Sequence, residues 1–217
     1  MIRMGAPRTV GLGWAAFGVL IVATVAERAL TLWHPDFPDD GTFDYAAVSA
    51  IRNTWWAFHF FGGIAVVMQA VAFAVAVCLL ARTRGSAWAI GGATIYILGA
   101  AAFGVGIAAE GVAFAYAADP AAVPAAEGAR LLSFMGEHAK LYTVGVLPGL
   151  ALSTVGTVGL CAALLRAGTI HRIIPIVLLV GTLAAVVLEF GIIGFAFSTV
   201  AVTVPMLAIG WFAARAR

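Results

Sequence analysis

Eight ionisable side chains lie inside, or at the edge of, long apolar stretches of the sequence. A charge in such a stretch is costly, because hydrocarbon does not solvate it, and it marks a functional site by default. Glu110 is the clearest case, since residues 88–116 are almost wholly apolar and contain no other charge. The eight candidates for a ligand site are Glu27, Arg28, His59, Glu110, Glu137, His138, Lys140 and Glu189.

Three interpretations of these residues stay open. Carboxylates with nearby cations are able to bind a small ligand, an ion or a proton, and this is the function that we favour. The first alternative is a membrane-embedded enzyme that uses carboxylate or metal–carboxylate chemistry on a lipid-soluble substrate, with Glu110 as the acid of a metal-free version. The second alternative is a structural protein whose charges only pair helices, since groups near the membrane surface reach water at a lower cost.

The spacing of the candidates gives little support to metal or haem chemistry. Glu137 and His138 are adjacent, so their side chains point about 100° apart on a helix. The Glu-x-x-His spacing of metal–carboxylate bundles is therefore absent. A haem with two histidine ligands needs two facing imidazoles, and His59 and His138 lie at compatible depths in the sequence pattern. We predict neither a metal site nor a cofactor.

The composition determines the kind of scaffold that must hold these residues. Hydrophobic residues make up 63% of the 217-residue chain, charged residues only 10%, and the mean hydropathy is +1.06. Soluble domains carry about 25% charged residues, so this chain needs the bilayer as its solvent. Spanning segments must then be helices or barrel strands, and continuous rather than alternating apolar runs exclude a barrel. We predict an all-α polytopic membrane bundle that forms a single domain over residues 1–217.

The spanning helices are predicted from the apolar runs. A single span needs about 20 residues, so the stretch 173–212, which holds one charge, is predicted as a helical hairpin turning at 190–195. Short surface helices are predicted at 43–52 and 127–140. The six predicted spans cover about residues 10–33, 55–81, 88–116, 140–165, 173–190 and 195–212.

The charges of the short connections predict the orientation. Eight arginines and no acid occur in the two termini and in the turns at 82–84 and 166–172. The alternate connections hold six acids against only Arg52 and Arg130. Cytoplasmic loops carry the excess of Lys and Arg, so both termini are predicted to be cytoplasmic, in the cytoplasmic membrane of a bacterium.

This orientation places all eight candidates in the outer third of the membrane. At about 1.5 Å per helical residue, Glu27 lies about 9 Å below Trp33, and Glu110 lies about 9 Å below Tyr116. Five spans therefore contribute to one polar layer. We predict that Glu27, Glu110 and Glu189 converge in one pocket that opens to the outer face.

Small residues four positions apart predict close helix packing. Gly145 and Gly149 form one such motif, Ala100 and Gly104 another, and packing within the chain is favoured over an oligomer contact, which stays open. Pro148 and Pro205 are expected to kink or loosen their helices. The expected partners are the lipid bilayer and a small molecule or ion from the outer face, and no patch for nucleic acid occurs.

The segment Leu165–Ile174 has an arginine, a glycine and a second arginine, followed by an aliphatic helix start. It resembles the loop between the fourth and fifth spans in a family of bacterial membrane proteins that is known as a domain of unknown function. The plan of the chain is similar as well, with a long first outer loop, a second outer loop and a closing hairpin. The resemblance implies the architecture and no activity.

Overall fold

The computed structural model describes residues 6–33, 44–138, 143–187 and 197–216. Within these ranges the chain is helical and contains no strand, which confirms the all-α prediction. The described helices are α1 (Ala6–Trp33), α2 (Tyr45–Leu80), α3 (Ser86–Ala117), α4 (Ala125–Glu137), α5 (Thr143–Ala167), α6 (Ile173–Val187) and α7 (Val204–Arg215), and a π-helical segment, Thr199–Thr203, directly precedes α7.

Four of these helices are long and apolar enough to cross a membrane. They are Val10–Trp33 within α1, α2, α3, and Val144–Ala167 within α5. The apolar helices Ile173–Ala185 and Thr199–Arg215 are shorter. The chain is therefore a helical membrane protein with four candidate spans in its described part. The count of six stays a prediction, because the hairpin turn proposed at 190–195 lies outside the described residues.

The helices pack antiparallel, so the bundle has two chemically different ends. Gly13 near the start of α1 lies against Ala213 near the end of α7, and Gly85 before α3 lies against Ala163 near the end of α5. We call this the Arg-rich end, because it carries the turns at 82–84 and 166–172. The opposite end, with the end of α1, the start of α2 and α4, is called the acid-rich end.

Helix α3 lies between α2 and α5 and approaches both closely. A Cβ atom at Gly104 would lie 2.7 Å from the carbonyl oxygen of Gly63 in α2, and one at Gly149 of α5 would lie 2.8 Å from that of Gly99. Only glycine permits this distance between backbones. The predicted small-residue motifs therefore serve packing within the chain, as expected.

The buried apolar core lies toward the Arg-rich end. Its largest fully buried side chains include Phe73, Leu160, Leu164 and Ile209, which come from α2, α5 and α7. A smaller cluster near the acid-rich end joins α2, α3 and α4 through Val48, Trp55, Phe114 and Leu132. This cluster explains why the amphipathic helix α4 packs across the ends of α2 and α3.

The two predicted surface helices had different outcomes. The helix predicted at 127–140 is confirmed as α4, which covers Ala125–Glu137. The helix predicted at 43–52 is not a separate helix, because its described residues from Tyr45 onward are the first turns of α2. The Asp44 side chain caps α2 by accepting from the Ala47 N–H at 3.1 Å, and no glycine or proline interrupts the helix before Trp55.

The prolines in the later helices differ in their surroundings. Helix α5 runs through Pro148 as one helix. Pro205 instead follows the π-helical segment, in which the Val204 N–H reaches back to the Thr199 carbonyl. Proline has no N–H to continue the usual ladder, so a locally widened turn before Pro205 fits the predicted loosening.

The approach of α3 and α5 yields a paired prediction. A Cβ at Gly92 would lie 2.7 Å from the Leu160 backbone nitrogen, whereas a Cβ at the neighbouring Gly91 meets nothing within 4 Å. Gly92→Ala should therefore lower the unfolding free energy by about 1–3 kcal/mol through overpacking. Gly91→Ala should be neutral or stabilising by up to about 1 kcal/mol, because alanine favours the helix.

Thermal unfolding of both variants in detergent micelles checks this difference. Equal melting temperatures for the two would show that α3 and α5 do not meet at Gly92.

Candidate functional site

A cluster of polar side chains surrounds the last turns of α1. On α1, Thr24, Glu27 and Thr31 are spaced by three or four positions, which places them on one face of the helix, and Arg28 is adjacent to Glu27. Two residues from other elements complete it through hydrogen bonds. We call this set the α1 polar cluster: Thr24, Glu27, Arg28, Thr31, Gln69 and Ser198.

The charged pair at the centre of the cluster is formed by neighbours in sequence. Arg28 Nε lies 3.0 Å from Glu27 Oε2, and the two side chains are 22% and 20% exposed. Adjacent helical side chains diverge by about 100°, so this pair cannot adopt the parallel fork of a good Arg–carboxylate bridge. Accordingly, within the described part of the chain, Glu27 Oε2 is buried and accepts no hydrogen bond.

Among the described residues, the hydrogen bonds of Glu27 also stay within α1. Thr31 Oγ1 donates to the Glu27 backbone carbonyl at 2.8 Å and lies 3.4 Å from Glu27 Oε1, which is a long hydrogen bond. An ionised carboxylate has about four acceptor positions. The carboxylate of Glu27 therefore keeps acceptor capacity that the described residues do not use.

Two hydrogen bonds of the cluster join α1 to other elements. Arg28 Nη1 donates to Ser198 Oγ at 2.9 Å, which ties α1 to the residues before the π-helical segment. Gln69 Nε2 donates to the buried Thr24 Oγ1 at 3.0 Å, which ties α2 to α1. The cluster thus lies where α1, α2 and the chain leading into α7 meet.

His59 occupies a different interface, between α2 and α3. Its ring is buried, stacks near Trp55 with centroids 4.2 Å apart, and lies directly against Gly111 of α3. His59 Nδ1 is 2.8 Å from the Trp55 carbonyl oxygen. A carbonyl only accepts, so Nδ1 carries the proton of this hydrogen bond.

Glu110 is the isolated carboxylate of α3. It is half-buried and, among the described residues, it forms no ion pair or hydrogen bond. Gly106, one turn earlier on the same face, packs against Gly145 and Val146 at the start of α5. Glu110 therefore lies on the side of α3 that turns toward α5, whereas Glu27 belongs to the α1 face.

Glu137 and His138 lie outside the spans, which corrects their predicted place at the start of the fourth span. Glu137 is the last residue of α4, His138 is its C-cap, and the next helix begins at Thr143. Both side chains are exposed, and His138 stacks on Phe134 with ring centroids 4.1 Å apart. Phe134 and its carbonyl hold the imidazole of His138 at the end of this surface helix.

The described candidates thus fall on separate helix faces. In the ranges that the structure covers, no group of three His, Cys, Asp or Glu residues is placed to hold a metal ion. Lys140 and Glu189 lie outside the described residues. The convergence of Glu27, Glu110 and Glu189 in one pocket therefore stays a prediction.

Sequence reasoning missed Ser198 as a partner of this site. Ser198 carries one of several hydroxyls in apolar segments. Only the antiparallel packing of α1 and α7 brings it to Arg28. Gln69 carried a detectable signal, because a carboxamide inside an apolar span needs a hydrogen-bond partner.

The Thr24–Gln69 hydrogen bond yields a stability prediction. Thr24→Val should lower the unfolding free energy by about 0.6–2 kcal/mol, because Gln69 loses its acceptor in an apolar surrounding. Thr94→Val is the matched control, since the exposed Thr94 hydroxyl donates to the Ile90 carbonyl of its own helix and, in the part of the chain that the structure describes, to no other helix. Melting temperatures in detergent micelles measure the stability of both variants. Equal decreases in the two would contradict the hydrogen bond between α1 and α2.

Comparison with known proteins places the chain in a family. No curated protein and no solved structure matches it. The family described as Domain of unknown function (DUF4386) matches residues 36–215. The match covers α2 to α7, and it begins after Glu27 and Arg28. Since the matched segment is most of the chain, the protein belongs to the DUF4386 family, as its resemblance implied.

Proposed function

We propose that this chain is a six-span protein of the bacterial cytoplasmic membrane that binds a small polar ligand, an ion or a proton at the acid-rich end of its bundle. Both termini face the cytoplasm in this proposal. Four helices of sufficient length support the membrane setting. The two further apolar helices and the acid-free, arginine-bearing turns support the count of six and the orientation.

The carboxylate of Glu27 is the observation that supports a binding function. A charge that only held helices together would contact a neighbouring helix, as Arg28 does through Ser198. Within the described residues, however, the ion pair and hydrogen bonds of Glu27 stay inside α1. A buried oxygen without a hydrogen bond costs free energy, and a bound cation or hydrogen-bond donor offsets that cost.

The structural alternative also has an observation in its favour. Arg28 joins α1 to the chain before α7, and Glu27 neutralises this guanidinium inside the membrane. The enzyme alternative depends on Glu110, whose half-buried carboxylate has no partner among the described residues. The two alternatives therefore involve different residues, which makes them separable by mutation.

The topology is tested by cysteine labelling from outside the membrane. In a background with Cys78→Ala and Cys161→Ala, an impermeant maleimide should label Ala121→Cys and Ile192→Cys in intact spheroplasts. Arg84→Cys should react only after permeabilisation, because its turn is predicted to be cytoplasmic. Labelling of Arg84→Cys in intact spheroplasts would reverse the orientation, and an unreactive Ile192→Cys would contradict the sixth span.

The binding function is tested by ligand-induced thermal stabilisation in lipid nanodiscs. Sodium, potassium, magnesium, ammonium and choline ions serve as probes, together with a pH series for the proton. A bound probe raises the unfolding free energy by about 2.7 kcal/mol at 100 times its Kd. We expect a stabilising probe whose effect is lost in Glu27→Gln, which keeps the side-chain volume and removes the charge.

Glu127→Gln is the control for this experiment, because Glu127 is an exposed acid of α4 outside the polar cluster. It should respond to the probe as the unchanged protein does. A probe effect that survives in Glu27→Gln, or the absence of any probe effect, would overturn the proposed site. A lower melting temperature of Glu27→Gln without any probe effect would favour the structural role.

A further inference from the structure

A second polar site lies at the opposite, Arg-rich end of the bundle. A pocket of about 410 Å³ opens there between the end of α2, the turn after α5 and the end of α7. The pocket is open to its surroundings, and its volume is large enough for a phosphate group. The side chains that matter for its chemistry are Arg82, Thr83, Thr169, Phe212 and Arg215.

The lining of this pocket suits a phosphate group. Arg82 and Arg215 bring two positive charges, Thr83 and Thr169 bring two hydroxyls, and none of the described residues that line the pocket is acidic. A guanidinium binds phosphate through two parallel N–H donors. Arg215 lies over the Trp211 ring, with Cζ 3.9 Å from the ring centroid, and this stacking orients its guanidinium before a ligand binds.

The C-terminal ends of the helices at this pocket repel an anion, but their partial charges are smaller than the charges of the arginines. Helices α2 and α7 end beside it, and each C-terminus carries about half a negative charge. Two full guanidinium charges exceed these partial charges. The turns at 82–84 and 166–172 add further arginines and no acid, so the field at this end favours an anion.

The surroundings of the pocket suit a lipid better than a free ion. Phe212 is 41% exposed and Trp211 is 36% exposed, although both belong to an apolar helix. Trp88, 51% exposed, lies at the same end with the Arg166 guanidinium 6.0 Å from its ring centroid. Exposed tryptophans beside arginines mark the depth of the lipid head groups, which is where a lipid phosphate lies.

We propose that this pocket binds the phosphate of an anionic phospholipid from the leaflet at the Arg-rich end. The guanidinium groups of Arg82 and Arg215 hold the phosphate, Thr83 and Thr169 donate to its remaining oxygens, and Phe212 contacts the glycerol and the upper acyl chain. Basic pockets between spanning helices bind anionic head groups in this way. The site is independent of the α1 polar cluster and of the orientation of the chain.

The test compares lipids by thermal shift and native mass spectrometry of the detergent-solubilised full chain. Phosphatidylglycerol should stabilise the protein and remain bound, whereas phosphatidylcholine and inorganic phosphate should have little effect. Arg82→Gln and Arg215→Gln should each weaken phosphatidylglycerol binding about tenfold, as expected for a lost charge-assisted hydrogen bond. Arg84→Gln is the matched control, because this exposed arginine of the same turn does not line the pocket.

The results that would contradict the lipid site can be told apart from one another. An equal loss in Arg84→Gln and Arg82→Gln would show a general attraction to charge and overturn the site. Stabilisation by inorganic phosphate alone, or equally by phosphatidylcholine, would overturn the anionic lipid as its ligand. If Arg82→Gln and Arg215→Gln lower the melting temperature without changing lipid binding, the arginines only stabilise the ends of α2 and α7. Should Arg215→Gln fail to fold, Arg82→Gln with its control decides the result.

Discussion

The close approach of α3 to both α2 and α5 is the contact on which the rest of this fold depends. Lipid tails are as apolar as leucine, so helices in a bilayer gain no hydrophobic advantage from meeting and must gain dispersion contacts instead. Gly63 faces Gly104 across the first interface, and Gly92 faces Gly159 across the second. The glycines of α3 that face α5 recur every seven residues, at positions 92, 99 and 106. This spacing keeps one face of α3 on α5 over most of its length.

This packing separates the bundle into an apolar part and a polar part. Toward the Arg-rich end, large aliphatic and aromatic side chains such as Phe73 and Leu164 fill the space between the helices. From the middle of the bundle to the acid-rich end, the interfaces carry Thr24, Gln69 and His59, each with a hydrogen bond. Polar groups in lipid need such partners, so the ionisable residues are tolerated where neighbouring helices or the membrane surface satisfy them.

Helix α7 and the residues before it connect the two proposed sites. Ser198 accepts a hydrogen bond from Arg28 at one end, and Arg215 lines the pocket at the other. The π-helical segment Thr199–Thr203 lies between them, and such segments are frequent at functional sites because they weaken the regular ladder. The match to the DUF4386 family includes all of α7 and leaves out Glu27 and Arg28. The Arg-rich pocket therefore lies wholly inside the matched segment, whereas the α1 polar cluster lies partly before it.

The sequence by itself determined that the protein needs a lipid bilayer around it, and it determined the class of fold and the family. A chain with 63% hydrophobic and 10% charged residues needs a bilayer around it, and a bilayer leaves only helices for continuous apolar runs. The helix α4 was also predictable from its local sequence, and packing within the chain was the favoured use of the small-residue motifs. The continuity of α2 from Tyr45 onward was not predicted, since the burial of Val48 in one cluster with Leu132 of α4 is a tertiary contact.

The contacts that the polar side chains make with other helices were decided only by the tertiary structure. Depth along a span follows from counting residues, and it placed Glu27, His59 and Glu110 in one layer. The direction of a side chain around its helix depends on which neighbours pack there, and this assigned Arg28 to Ser198, His59 to the Gly111 face, and Glu110 to the side near α5. The Arg-rich pocket has the same origin, because only the packed ends of α2 and α7 bring Arg82 and Arg215 to one cavity.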